Sequence, residues 1–209
     1  MKKLLLKIMF SGCITLASVS CYANGIDALD KFLQNQNSTV SASFSQTVFG
    51  VKKNRVTSGV MEISRPNKFR WEYVTDGQLI VSDGKTIYIY DKPLKQVTEK
   101  KLTQSLGKSP ALLLAGGTNI KHDYTVTNLA QSDGLEWVNL TPKNSSDNNG
   151  FKQVQIGFNS GANSLAQMKF IDNFDNKSTI VFTNVKSGIN IPASDFTFSP
   201  PAGVDVIKN

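Results

Sequence analysis

Between Arg65 and Tyr90 the chain reads RPNKFRWEYVTDGQLIVSDGKTIYIY, and its strict alternation commits it to antiparallel strands. Pro66 lacks an N–H and biases Arg65 toward an extended backbone. Phe69, Trp71 and Tyr73 then fall on one strand face, with Lys68, Arg70 and Glu72 on the other. Thr75-Asp76-Gly77 turns the chain, Leu79 to Ser82 returns, and Asp83-Gly84 makes a hairpin turn into Thr86–Tyr90. Three consecutive strands thus hold a row of large aromatics on a single face. Two readings of that face stand: an ordinary sheet over its own core, or the lining of a pocket.

Residues 1–23 have the pattern of a cleaved export signal. Lys2 and Lys3 form a positive start, Leu4 to Val19 is apolar but for Lys7 and small polar residues, and Cys21-Tyr22-Ala23 ends on a small residue suited to cleavage. The apolar run is too short and interrupted for a membrane span. Cys21 also permits a lipoprotein signal, but Ser18 stands where such a signal wants an aliphatic residue. The expectation is cleavage after Ala23 and one domain over 24–209. That form has 20 basic against 16 acidic residues, a net charge of +4 rather than the +7 of the full chain. Both cysteines, Cys13 and Cys21, leave with the signal, so no disulfide or thiolate chemistry remains.

Downstream, Ile26, Leu29, Phe32 and Leu33 recur at helical spacing, predicting a short amphipathic helix over 26–36. Val40, Ala42, Phe44 and Val48 change the period to two, and a strand with Gly59, Met61 and Ile63 on one face follows. Leu94 and Val97 suggest one more short strand. Ser109 to Ala115 reads as a short helix, with Ser109 as N-cap and Pro110 in the first turn. Its leucines are apolar nearly all round, so it must be covered or must cover something. Further strands are expected at 124–129, 135–141, 151–158, 165–171, 178–185 and 196–198. About eleven strands and two or three short helices predict a mainly β fold, a large, strongly curved antiparallel sheet whose concave face needs a cover, with 26–36 and 109–115 as the apolar candidates for it.

Catalytic constellations are hard to assemble from these residues. His122 is the one histidine, flanked by Lys121 and Asp123, and reads as a surface residue rather than a catalyst. Histidine- and cysteine-based metal sites fail on count, and no phosphate-binding glycine loop follows a strand. Asp76, Asp83, Asp133 and Asp175 sit beside Gly or Asn, where turn chemistry accounts for them. The alternation in Lys68-Phe69-Arg70-Trp71 puts cations and rings on opposite faces, which argues against a nucleic-acid surface. The expectation is a non-enzymatic chain without cofactor, metal or nucleic-acid partner.

An ordered set of short motifs carries a resemblance. Ser43-Phe44-Ser45-Gln46-Thr47-Val48, Arg65-Pro66 with Phe69 and Trp71, Ile80-Val81-Ser82-Asp83-Gly84-Lys85, Gln96-Val97, Ser109-Pro110 with its leucines, and Phe196 to Val204 resemble the periplasmic lipoprotein carriers of the LolA family. The resemblance implies an incomplete β-barrel with a lid of short α-helices enclosing a hydrophobic cavity, in a monomeric periplasmic carrier of acylated lipoproteins. Such a carrier takes cargo from an inner-membrane ABC transporter and hands it to an outer-membrane receptor lipoprotein of the LolB kind. It implies a lid-locking arginine at Arg65 and cavity positions at Phe69, Trp71, Leu112 and Leu114, with Leu29 and Leu33 on the first helix. Ala111 stands where a bulkier residue can occur, which implies looser lid packing. The receptor shares the fold but is lipidated, and Cys21 keeps that alternative open, as it does a general hydrophobic-ligand binder.

Overall fold

The computed structural model describes residues 24–34, 38–104, 109–116, 119–144, 150–162 and 164–208. The export-signal expectation for 1–23 and the last two positions of the 26–36 helix lie outside them.

Helix α1 (Gly25–Gln34) starts where Asn24 Oδ1 accepts the Asp27 N–H at 2.8 Å, with Asp27 in its first turn and Lys31 in its last. It buries Ala28, Leu29 and Phe32. Six strands follow: β1 (Thr39–Phe49), β2 (Arg55–Ser64), β3 (Lys68–Tyr73), β4 (Gln78–Asp83), β5 (Thr86–Asp91) and β6 (Gln96–Lys101). Helices α2 (Pro110–Leu114) and α3 (Ile120–Asp123) come next, then β7 (Tyr124–Asn128), β8 (Leu135–Pro142), β9 (Phe151–Asn159), β10 (Leu165–Asp172), β11 (Lys177–Ser187) and β12 (Asp205–Lys208).

All twelve strands form one sheet in the order β12-β6-β5-β4-β3-β2-β1-β11-β10-β9-β8-β7. Every neighbouring pair is antiparallel except β12 on β6. Register shifts at Ser41/Ser43 in β1 and at Leu165/Gln167 and Ile171/Asp172 in β10 bend the ladder. Alternation decides the faces, as in β1, where Val40, Ala42 and Phe44 are buried and Ser41, Ser43 and Ser45 point away. The inner face carries the core: Phe44, Met61, Ile63, Phe69, Trp71, Ile156, Phe158, Met168 and Ile180, closed by α1 and α2.

Two sequence expectations need correction. Ala193–Phe196 is a turn of 3₁₀ helix and Thr197 follows it in extended but unpaired backbone, so 196–198 adds no strand. Phe198 instead packs on Tyr88 and Tyr90 at 5.5 and 5.6 Å. The twelfth strand is β12, a four-residue edge strand whose side chains are all exposed and therefore gives no alternation to read. Leu94 stands in the β5–β6 turn, 70% exposed, and the strand begins after it.

Candidate functional site

Strand β3 sits near the middle of the sheet and turns Phe69 and Trp71 inward, at 0% and 2% exposure. Phe44 stacks on Trp71 at 4.9 Å and meets the Tyr73 edge at 5.2 Å, while Phe182 meets Trp71 edge-on at 6.1 Å. Gly59 makes room for this cluster: a Cβ there would lie 1.8 Å from the Glu72 carbonyl oxygen and 2.9 Å from the Phe44 ring. The Tyr73 hydroxyl donates to Gln46 Oε1 at 2.9 Å, and burial pushes its pKa up to about 12.

Against these aromatics lies a cavity of about 310 Å³, at the lower end of the roughly 300–1,000 Å³ typical of ligand pockets. Its walls are Phe69, Trp71, Tyr73, Ile80, Ile87 and Ile89 from the sheet, and Ser109, Pro110 and Ala111 from the start of α2. Among the described residues, Lys100 is the one charged group in the lining. Tyr73 also borders a second, more polar space of about 480 Å³ reaching Val48, Arg55, Asp76 and Leu94.

Helix α2 is the cover. Pro110 occupies its first turn, and Leu112, Leu113 and Leu114 are all within 1% of full burial. In this closed arrangement Leu112 and Leu114 are packed into the core, whereas Ala111 faces the cavity. Leu29 and Leu33 line a separate crevice of about 400 Å³ between α1 and α3, with Gly116 and Ile120. The structure thus brings Phe69 and Trp71 to one cavity and places Leu29 and Leu33 beside another.

Arg65 is 6% exposed and holds the far end of α2. Its Nε–H donates to the Leu114 carbonyl at 3.2 Å, one of the carbonyls a helix end leaves free. Next to it, the Asn67 N–H donates to the Ala115 carbonyl at 3.1 Å. Arg65 Nη1 donates to Ser38 Oγ at 2.5 Å, Cζ stands 4.3 Å from the Phe32 ring centroid, and Nη2 is buried without a partner. Burial lowers the guanidinium pKa to about 10. Ser82 braces the corner by donating to the Asn67 carbonyl at 2.7 Å. Sequence reasoning placed Arg65 at the lid but missed Ser38 and Phe32, whose roles depend on α1 returning across the sheet. His122 lies in α3 with its side chain 80% exposed and Nδ1 2.7 Å from Asp123.

A single curved sheet wrapped around an apolar cavity, with short helices for a cover, defines a hydrophobic-ligand-binding half-barrel. Residues 35–199 match the family described as Outer membrane lipoprotein carrier protein LolA, and the chain belongs to that family. Among relatives, an outer-membrane lipoprotein carrier protein of Dechloromonas aromatica is 38% identical over 204 residues, covering 96% of both chains. One of Chromobacterium violaceum is 41% identical over 187 residues, covering 89% of this chain and 88% of its own. A crystal structure of an uncharacterized conserved protein from Thermus thermophilus shares the fold at 11% identity and a TM-score of 0.54, covering 88% of this chain and 96% of its own. No helix among the described residues is long and apolar enough to cross a membrane.

Proposed function

We propose that this chain carries lipoproteins to the outer membrane by sheltering their acyl chains between the β3–β5 aromatic and isoleucine face and α2. The observation that carries the reading is the cavity itself: apolar walls from three adjacent strands, under a helix that is pinned by one arginine. Moving an acyl chain out of a bilayer exposes methylenes at about 0.8 kcal/mol each, so a long chain costs roughly 12 kcal/mol unless a pocket receives it. The cavity is small when α2 is shut, so cargo entry requires α2 to lift and the α2 leucines to turn from core to lining. Arg65 is the lock on that movement. The work is binding rather than bond-making.

The carrier operates in the periplasm as a monomer, after cleavage behind Ala23. An inner-membrane ABC transporter supplies the cargo and the energy for loading, and a receptor lipoprotein at the outer membrane accepts it. The mature protein is expected to bind an environment-sensitive apolar dye at one site, with acylated peptide displacing the dye and altering Trp71 fluorescence. A well-folded protein showing neither response overturns the reading. Intact mass of the exported form should begin at Asn24 without acyl groups, and a diacylglyceryl-modified Cys21 would move the chain to the receptor class.

A further inference from the structure

Strand direction fixes which end of the half-barrel each turn occupies. Strands β1, β3, β5 and β10 run one way and β2, β4, β6 and β11 the other. The tips 50–54, 74–77, 92–95 and 173–176 therefore gather at one end, and the Arg65–Asn67 corner lies at the opposite one. Each of those four tips holds a large apolar side chain out in water: Val51 at 106% exposure, Val74 at 66%, Leu94 at 70% and Phe174 at 86%. Along the rim they follow the strand order as Leu94, Val74, Val51, Phe174. At the other end the corners Gly84–Lys85 and Ser160–Ala162 carry no exposed large hydrophobic side chain, and the β7–β8 connection carries Leu129 at 39%.

The charges at this rim are sorted. Asp76 is taken by Arg55 at 2.7 Å and Asp175 by Lys152 at 2.8 Å. Asp172 accepts from the Phe174 and Asn176 N–H groups and from Asn176 Nδ2, and Asp91 accepts the Leu94 N–H. Lys52, Lys53, Lys95 and Lys177 are exposed and, among the described residues, have no carboxylate partner. The polar space bordered by Val48, Arg55, Asp76 and Leu94 lies at this end, and Tyr73 is the wall it shares with the apolar cavity.

We propose that this tip end seats on an anionic phospholipid surface. The four apolar tips enter the headgroup region, the unpaired lysines face lipid phosphates, and the polar space bordered by Tyr73 faces the bilayer. Isolated exposed hydrophobics are ordinary, but one on each of the four neighbouring tips from β5–β6 to β10–β11, interleaved with free lysines, is the pattern of a surface that meets lipid. The proposal rests on the carrier reading, since it holds the carrier at the membrane surface where the transporter and the receptor exchange cargo with it.

The test is cosedimentation of the empty mature protein with vesicles of phosphatidylethanolamine alone, or mixed with phosphatidylglycerol, at low and high salt. Binding is expected to the mixed vesicles and to weaken with salt. Lys52→Gln with Lys53→Gln should lower it about 30-fold, at about 1 kcal/mol per lysine near an anionic surface. Val51→Ser with Phe174→Ser should lower it about tenfold or more through lost apolar insertion. All four positions are exposed on turns, so melting temperatures should not move. Equal binding by wild type and both double variants, or none by wild type, overturns the proposal. Absence of vesicle binding together with impaired handover in the tip variants would assign the rim to a protein partner instead. Acyl-peptide binding by the same proteins separates the two ideas: its absence in wild type defeats the carrier reading whatever the vesicles show.

Discussion

The Nε–H of Arg65 meets the Leu114 carbonyl at 3.2 Å, and the same guanidinium lies 4.3 Å from the Phe32 ring. One side chain therefore ties α2 to both α1 and the start of β1. If closure is worth about 2 kcal/mol, cargo binding works against it and apparent affinity falls about 30-fold. Arg65→Leu should keep the fold, hold acylated peptide more tightly by that factor, and hand it over poorly. Arg65→Lys should restore only part of the release, because it keeps the charge and loses the fork that reaches Leu114 and Ser38 together. Retention and transfer measured beside wild type check this, and normal handover by a folded Arg65→Leu protein would sink the lock.

Ala111 is 2% exposed and stands at the cavity wall, where α2 meets the isoleucines of β4 and β5. Ala111→Leu adds three heavy atoms to a helix position without breaking any hydrogen bond. The new side chain should fill part of the 310 Å³ space, raise the melting temperature, and weaken dye binding about tenfold. Dye titration and a thermal melt on the same sample are sufficient. Unchanged dye affinity would place the ligand elsewhere, the α1–α3 crevice beside Leu29 and Leu33 being the next site to probe.

Much of this site was legible because its signals are local. Phe69, Trp71 and Tyr73 announce a shared face by period two, and Ser109-Pro110 announces a helix start. The C-terminal region was harder. Phe196 and Phe198 alternate like a strand, yet Phe198 is held by Tyr88 and Tyr90 across the chain, a contact that no local pattern encodes. Short β12 is specified by pairing with β6, with Asp205 opposite Gln96. The partners of Arg65 were equally hidden: Ser38 and Phe32 look like a loop residue and a helix core residue until the fold closes α1 over the sheet.

Gly59 lies at the closest approach within the aromatic cluster. A methyl at 1.8 Å from the Glu72 carbonyl oxygen cannot be absorbed by a side-chain rotation, since the obstacle is backbone. Gly59→Ala should therefore push β2 from β3, disturb Phe44, and cost about 1–3 kcal/mol of stability. Denaturant unfolding with Trp fluorescence would measure it. A stability within about 0.5 kcal/mol of wild type would show that the sheet relaxes more freely here than its packing implies.

Alkaline pH should unlock the protein through its buried phenols. Burial raises Tyr73 to about 12, and burial together with the Asp123 charge raises Tyr124 to about 12. A group whose folded pKa lies above its unfolded value near 10 contributes stability that is whole below about pH 10 and lost as pH rises toward 12. Arg65 acts in the opposite sense: its folded pKa of about 10 lies below 12.5, so the cost of burying its charge recedes above pH 10. Two phenols outweigh one guanidinium. The melting temperature should therefore fall between about pH 10 and 12, with Tyr73 and Tyr124 giving late-rising tyrosinate absorbance. Replacing both by Phe should flatten the fall in melting temperature and remove that late absorbance. A wild-type melting temperature constant through this window would show that neither phenol is held neutral by the fold.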